Sequence, residues 1–187
     1  MYRIAGMWLG VCLISFVLMT PSSSAMAGGP ETLNLGQVQL KLNGTGYRKK
    51  SLLTLYEGSL YLQQPNRDAT AVVSAEAPMA IRIQITSGFV SQQKMLAALD
   101  EGFQKSTGGN TAGIADQLAE FRRCFADPIN KNDVFVLSYL PSSGVLVHKN
   151  GKQKGRIAGN EFKQALFGIW LSDRPVDESL KQAMLGR

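Results

Sequence analysis

Nucleophilic and acid–base chemistry has few places to start in this sequence. The chain holds one histidine, His148, and two cysteines, Cys12 and Cys124. Any Ser-His-Asp or Cys-His arrangement would depend on His148 alone, and a His-rich metal site cannot form. The setting Val145-Leu146-Val147-His148-Lys149 suits an exposed strand end better than a catalytic pocket. Cys124 lies in Phe121-Arg122-Arg123-Cys124-Phe125, an apolar helical register where a lone cysteine is more often a small buried residue than a thiol nucleophile. There is no P-loop, no dinucleotide fingerprint in a strand–turn–helix context and no Gly-x-Ser-x-Gly. Gly44-Thr45-Gly46 is too short to cradle a phosphate and reads as backbone geometry. Neither a metal nor a cofactor is expected.

Charge narrows the partners. The formal net charge is +6, with 20 basic and 14 acidic side chains. The basic residues are scattered apart from Arg48-Lys49-Lys50 and a group from Lys149 to Arg156, which argues against a nucleic-acid surface. Such an excess keeps a protein in solution and can also attract anionic headgroups or acidic ligands.

The N-terminus reads as an export signal. Arg3 supplies a positive charge, Ile4 to Met19 is almost wholly apolar, Pro21 breaks the run, and Ala25-Met26-Ala27 is a small-x-small cleavage site. The apolar run falls short of the roughly 20 residues that a bilayer-spanning helix needs. The expectation is therefore a leader over residues 1–27, cleaved during export to the periplasm, and a single domain over residues 28–187 with no stable membrane insertion. Cleavage removes Cys12 and leaves Cys124 unpaired, so the core must hold the fold without a disulfide.

Periodicity supplies the elements. Leu33, Leu35, Val38, Leu40 and Leu42 alternate with polar residues, with one change of register at Gly36-Gln37 that reads as a bulge. Leu52 to Leu62 and Met79 to Ile85 read as strands, and Ala71-Val72-Val73 as a short one. The period then changes. Ser91 can cap a helix carrying Met95, Leu99 and Phe103, and Asn110 or Thr111 a second with Ile114, Leu118, Phe121 and Phe125. Strands follow at Val134 to Leu140, Val145 to His148 and Gly155 to Ala158, with Asn150-Gly151 a hairpin signal. Asn160 can cap a third helix and Pro175 open a fourth. This order predicts an α+β domain, an antiparallel sheet with helices on one face.

One stretch carries more. Gly44-Thr45-Gly46-Tyr47-Arg48 followed by Gly58-Ser59-Leu60-Tyr61-Leu62 resembles the Gly-x-Gly-x-Arg and Gly-x-Tyr-Leu elements of the chalcone isomerase-like superfamily. The likeness continues through Tyr139-Leu140-Pro141, Asn150 to Gly155, and Phe162 to Leu185, covering nearly all of the chain beyond the leader in the order of the bacterial periplasmic members. It implies an open-faced β-sandwich, a large antiparallel sheet packed on one face by a layer of helices, with a ligand cleft between the layers.

By that resemblance Arg48 faces the cleft, and Tyr56 takes the place where the enzymes use a threonine and related fatty-acid-binding plant proteins a tyrosine. The pair would clamp a carboxylate. Eight residues of straight strand span about 26 Å, too far for one headgroup, so the clamp requires a tight turn between Lys49 and Leu53. Given that turn, the guanidinium offers a two-pronged donor and the phenol a neutral one. Otherwise Arg48 belongs to a solvated Arg-Lys-Lys turn and Tyr56 is a core aromatic. The tyrosine and asparagine that position substrate in the enzymes align with Gln92 and Leu99, which cannot do the same work. The expectation is a non-catalytic exported protein binding a small amphipathic ligand such as a fatty acid. The alternatives are an isomerase in which Arg48 stabilises an oxyanion, and a structural or interaction protein whose cleft is closed.

Overall fold

Alternating apolar residues build one antiparallel sheet in which each strand pairs with its sequence neighbours. The strands are β1 (Thr32–Leu35), β2 (Val38–Lys50), β3 (Leu53–Leu62), β4 (Met79–Ile85), β5 (Val134–Leu140), β6 (Gly144–Lys149) and β7 (Lys152–Ile157), in that spatial order. The computed structural model describes residues 28–187, so the expected leader lies outside the described residues. Register aligns Gly44, Leu60, Ile81, Leu137, Val147 and Gly155 as one row across six strands. The side chains of that row's interior lie in the main core, where helices cover them. The opposite face holds a smaller cluster around Leu40, Tyr61 and Ala80.

The covering layer comprises α1 (Ala69–Ser74), α2 (Gln92–Ser106), α3 (Ala115–Arg123), α4 (Asn160–Leu171) and α5 (Glu178–Met184). The chain is thus α+β with helices on one side of a large sheet, as the sequence predicts. Phe103 meets Phe121 edge-on at 5.7 Å between centroids, and Phe125 stacks on Phe135 at 5.0 Å, which ties α2 and α3 to each other and to β5. Cys124 is buried where β7 passes closest, with Gly155 leaving room for its sulfur, and burial pushes the thiol pKa up.

Local expectations fail at five places, each for an identifiable reason. The register change at Gly36-Gln37 is the two-residue turn joining β1 and β2, closed by Gly36 at φ 62°, and not a bulge. Ala71-Val72-Val73 is helical. Asp68 caps α1 by accepting from Ala71 N–H at 3.0 Å, and the fully buried Lys163 closes its other end by donating to the Val73 and Ala75 carbonyls at 2.7 and 2.5 Å. Neither Asn110 nor Thr111 caps α3 with a side chain, because a 3-10 turn over Ala112–Ile114 intervenes. Gly159 holds the cap position of α4, while the Asn160 amide donates to Glu76 at 2.9 Å. Pro175 does not open α5: Asp177 caps it, accepting from Leu180 N–H at 3.1 Å.

The Gly-x-Gly element has a packing role. A Cβ on Gly46 would stand 2.6 Å from the Ala183 Cβ, and one on Gly44 would run into the Ala183 and Met184 carbonyls. Both glycines let α5 lie directly on β2. Gly44→Ala is expected to destabilise the protein by about 1–3 kcal/mol, roughly 3 to 10 °C in a thermal melt. An unchanged melting temperature would show that α5 is free to move aside.

Candidate functional site

Strand lengths create the site. β2 and β3 run for 13 and 10 residues, while β4 next to them has 7. The β3–β4 ladder ends at the Tyr56–Ile85 pair, and beyond it only Thr86 reaches the Leu55 and Thr54 carbonyls. The β2–β3 hairpin therefore overhangs the sheet. The turn is the tight one the clamp requires: Ser51 and Leu52 join Lys50 to Leu53, with Ser51 at φ 53°. A bulge after Arg48 then sets Arg48 opposite Tyr56 on the helix-covered side.

Under the overhang, against α2 and α4, lies a cleft of about 460 Å³. Leu55, Ile83, Met95, Leu99, Ile169 and Trp170 make its walls apolar, and Arg48, Lys50, Lys94, Glu101 and Lys105 line it with charge. The volume falls within the roughly 300–1,000 Å³ usual for small-molecule pockets, and the lining has the usual mixture of apolar surface and few polar groups. A second depression of about 280 Å³, between the β5–β6 turn and the start of α4, is lined mostly by polar loop residues and offers no comparable apolar surface.

Arg48 and Tyr56 are joined by two residues from the C-terminal helices. The Arg48 Nη1 donates to Asp177 Oδ2 at 3.1 Å and to the Lys49 carbonyl at 2.7 Å. Among the described residues Nη2 and Nε have no partner, so half of the guanidinium fork remains available. The Trp170 Nε1–H donates to the Tyr56 hydroxyl oxygen at 2.9 Å, which leaves the phenol proton for another acceptor. Burial raises the Tyr56 pKa to about 12, the Trp170 hydrogen bond and Arg48 opposing and Asp177 reinforcing the shift. The phenol is therefore a neutral donor across the physiological range. Asp177 receives the Leu180 and Lys49 backbone N–H groups as well as Arg48, at 3.1, 3.4 and 3.1 Å. Burial alone would raise its pKa, but these donors outweigh burial and hold it below the usual carboxylate range.

The structure brings together both residues named from the sequence, and it places Leu99 in the cleft wall and Gln92 outside it. Gln92 points to the Ala126 carbonyl at 3.3 Å, outside the cleft, and Leu99 is part of its apolar wall. Neither Trp170 nor Asp177 is among the site residues named from the sequence. An Asp three residues ahead of the first apolar residue of a helix is a capping signal, and a buried indole N–H demands a partner, so both had a local signature. Their proximity to Arg48 and Tyr56 had none.

With this geometry in view, comparisons with known proteins place the chain. No curated protein matches it. The profile of a family described as chalcone isomerase-like matches residues 23–186, and the chain belongs to that family. Among solved structures it is similar to the crystal structure of a fatty-acid binding protein from Arabidopsis thaliana, with a TM-score of 0.66 and 19% identity over 84% of this chain and 90% of that one. At that identity the shared property is the fold.

Asp177 gives the site a pH signature. Its folded pKa is depressed, so its contribution to stability is complete above the unfolded value of about 3.9 and is lost as pH falls through the folded value. Asp177→Asn keeps a capping oxygen and removes the charge. It is expected to cost about 1–2 kcal/mol at neutral pH, and the difference from wild type should shrink toward zero as pH is lowered through the depressed folded value. A difference that persists in acid would mean that the charge on Asp177 is not what anchors Arg48.

Proposed function

We propose that the protein binds a small amphipathic carboxylate, of which a fatty acid is the representative, without transforming it. The carboxylate sits at Arg48 and Tyr56, and the acyl chain lies between sheet and helices. One observation carries this reading: the unpartnered half of the Arg48 guanidinium and the free Tyr56 proton stand together at an apolar cleft of about 460 Å³. A charged two-pronged donor beside a neutral one matches a carboxylate, and apolar walls match the chain attached to it. Asp177 neutralises part of Arg48, but Lys50 and Lys94 keep the lining positive. The structural neighbour's description as a fatty-acid binding protein agrees with this reading. Against turnover, Leu99 offers no proton-transfer group, Gln92 lies outside, and the Tyr56 phenol is too weak an acid to give up its proton near neutrality. The leader expected over residues 1–27 would deliver this binding activity to the periplasm.

Titration of the purified protein with a fluorescent fatty acid tests the proposal, together with mass spectrometry of ligands released by denaturing extraction. Wild type should saturate. Arg48→Ala should weaken carboxylate binding by about tenfold or more, and Tyr56→Phe by about three- to tenfold, with much smaller losses for the methyl ester of the same acid. Absence of both bound acid and titratable binding would refute the proposal, as would equal losses for acid and ester. Turnover of a chalcone panel that vanishes in Arg48→Ala would favour the isomerase instead.

A further inference from the structure

The rim of the cleft carries a surface that the fold does not use. At the β2–β3 turn Leu52 is fully in solvent at 101% exposure, Leu53 beside it is 44% exposed, and Phe89 between β4 and α2 is 62% exposed. Leu53 and Phe89 border the same cleft, so two separate loops present apolar side chains at one end of the molecule. The turn itself is held by a non-glycine residue in the left-handed region, Ser51 at φ 53°, a conformation that adds nothing to stability.

Charge surrounds these side chains. Lys49 and Lys50 precede the turn, and the Lys94 Nζ stands 6.0 Å from the centre of the Phe89 ring. The carboxylates on this rim are already matched, Glu101 to Lys105 at 2.6 Å and Asp177 to Arg48 at 3.1 Å. Among the described residues Lys49, Lys50 and Lys94 have no carboxylate partner, which leaves the rim positive. Projecting apolar side chains set among lysines without carboxylate partners, Lys94 donating only to the Phe89 carbonyl, suit a lipid–water interface. The apolar groups enter the boundary between headgroups and acyl chains while the ammonium groups stay among anionic headgroups. A protein–protein interface would instead deplete its core of lysine.

We propose that this rim docks the protein peripherally on a bilayer containing anionic lipid, with Leu52, Leu53 and Phe89 immersed and Lys49, Lys50 and Lys94 against the headgroups. Docked this way, the cleft opens toward the membrane. The proposal does not depend on what the cleft holds.

Vesicle flotation tests it, with phosphatidylcholine alone and with phosphatidylcholine mixed with phosphatidylglycerol. The protein should float with the mixed vesicles, less with the neutral ones, and progressively less as salt shortens the screening length. The variant Leu52→Asp should lower partition at least about tenfold, while its thermal melt and its fatty-acid binding in vesicle-free solution match wild type. Lys49→Glu alone serves if that variant does not fold, and it should lower partition onto the mixed vesicles and flatten its dependence on salt. Three results overturn docking: no flotation with anionic vesicles, equal flotation of wild type and variants, or cross-linking of the turn to protein alone without flotation. Flotation intact with fatty-acid binding absent would leave docking standing and count against the ligand proposal only.

Discussion

The contact between α5 and the glycine stretch of β2 governs where everything else in the site can be. With any side chain at Gly44 or Gly46, α5 would have to stand off from the sheet. Because it lies flat on the strand, its N-terminal cap, Asp177, arrives beside the strand's last inward-facing residues. There one carboxylate serves three donors: the helix through Leu180, the strand through Lys49, and the Arg48 side chain. A helix cap and an ion pair are ordinary on their own. Sharing one carboxylate links the helix to the hairpin and fixes the direction of the guanidinium.

That sharing also resolves an electrostatic problem. An arginine at the edge of an apolar cleft is costly to desolvate, and an anionic ligand arriving at an arginine already bound by a carboxylate meets repulsion. Asp177 engages only Nη1, from the helix side. The arginine is thus partly compensated in the empty cleft, and Nη2 and Nε remain for a second anion. Tyr56 complements it as a donor whose neutrality is secured by burial, with the Trp170 N–H occupying a lone pair and leaving its proton to give. Four side chains from β2, β3, α4 and the α5 cap form two polar pairs, Arg48 with Asp177 and Tyr56 with Trp170, side by side in otherwise apolar surroundings.

Much of this was legible in the sequence. The alternation at Met79 to Ile85 and the helical stripe of Met95, Leu99 and Phe103 have periods that only one element type satisfies, and both were read correctly. The family resemblance pairs Arg48 with Tyr56, and the tight turn that this pairing requires is present. Three apolar residues at 71–73 carry no period, and Asp68, the residue that decides for a helix there, acts through a cap. Lys163 is buried because α1 presents open carbonyls 90 and 88 residues away in the chain, a partnership no local pattern encodes. Asp177 and Trp170 likewise join the site through separations of 129 and 114 residues. Such contacts follow from how helices lie on the sheet, which periodicity does not encode.

The cleft itself follows from a mismatch that the sequence does state, though not in the form of a motif. β2 and β3 continue past the point where β4 stops, so their ends have no sheet beyond them and no row of core side chains to fill the space beneath. At the other end of the same strands, Leu60 and Leu62 pair across to Ile81 and Met79 and are buried under the helices. One hairpin is thus core at its open end and cleft roof at its turn. The transition falls at Tyr56, the last residue of β3 with a partner in β4. It is there that a side chain can be gripped by the scaffold on one side, through Trp170, and still face an open space on the other. A site at the end of the ladder is rigid where its donors are held and unfilled beside them.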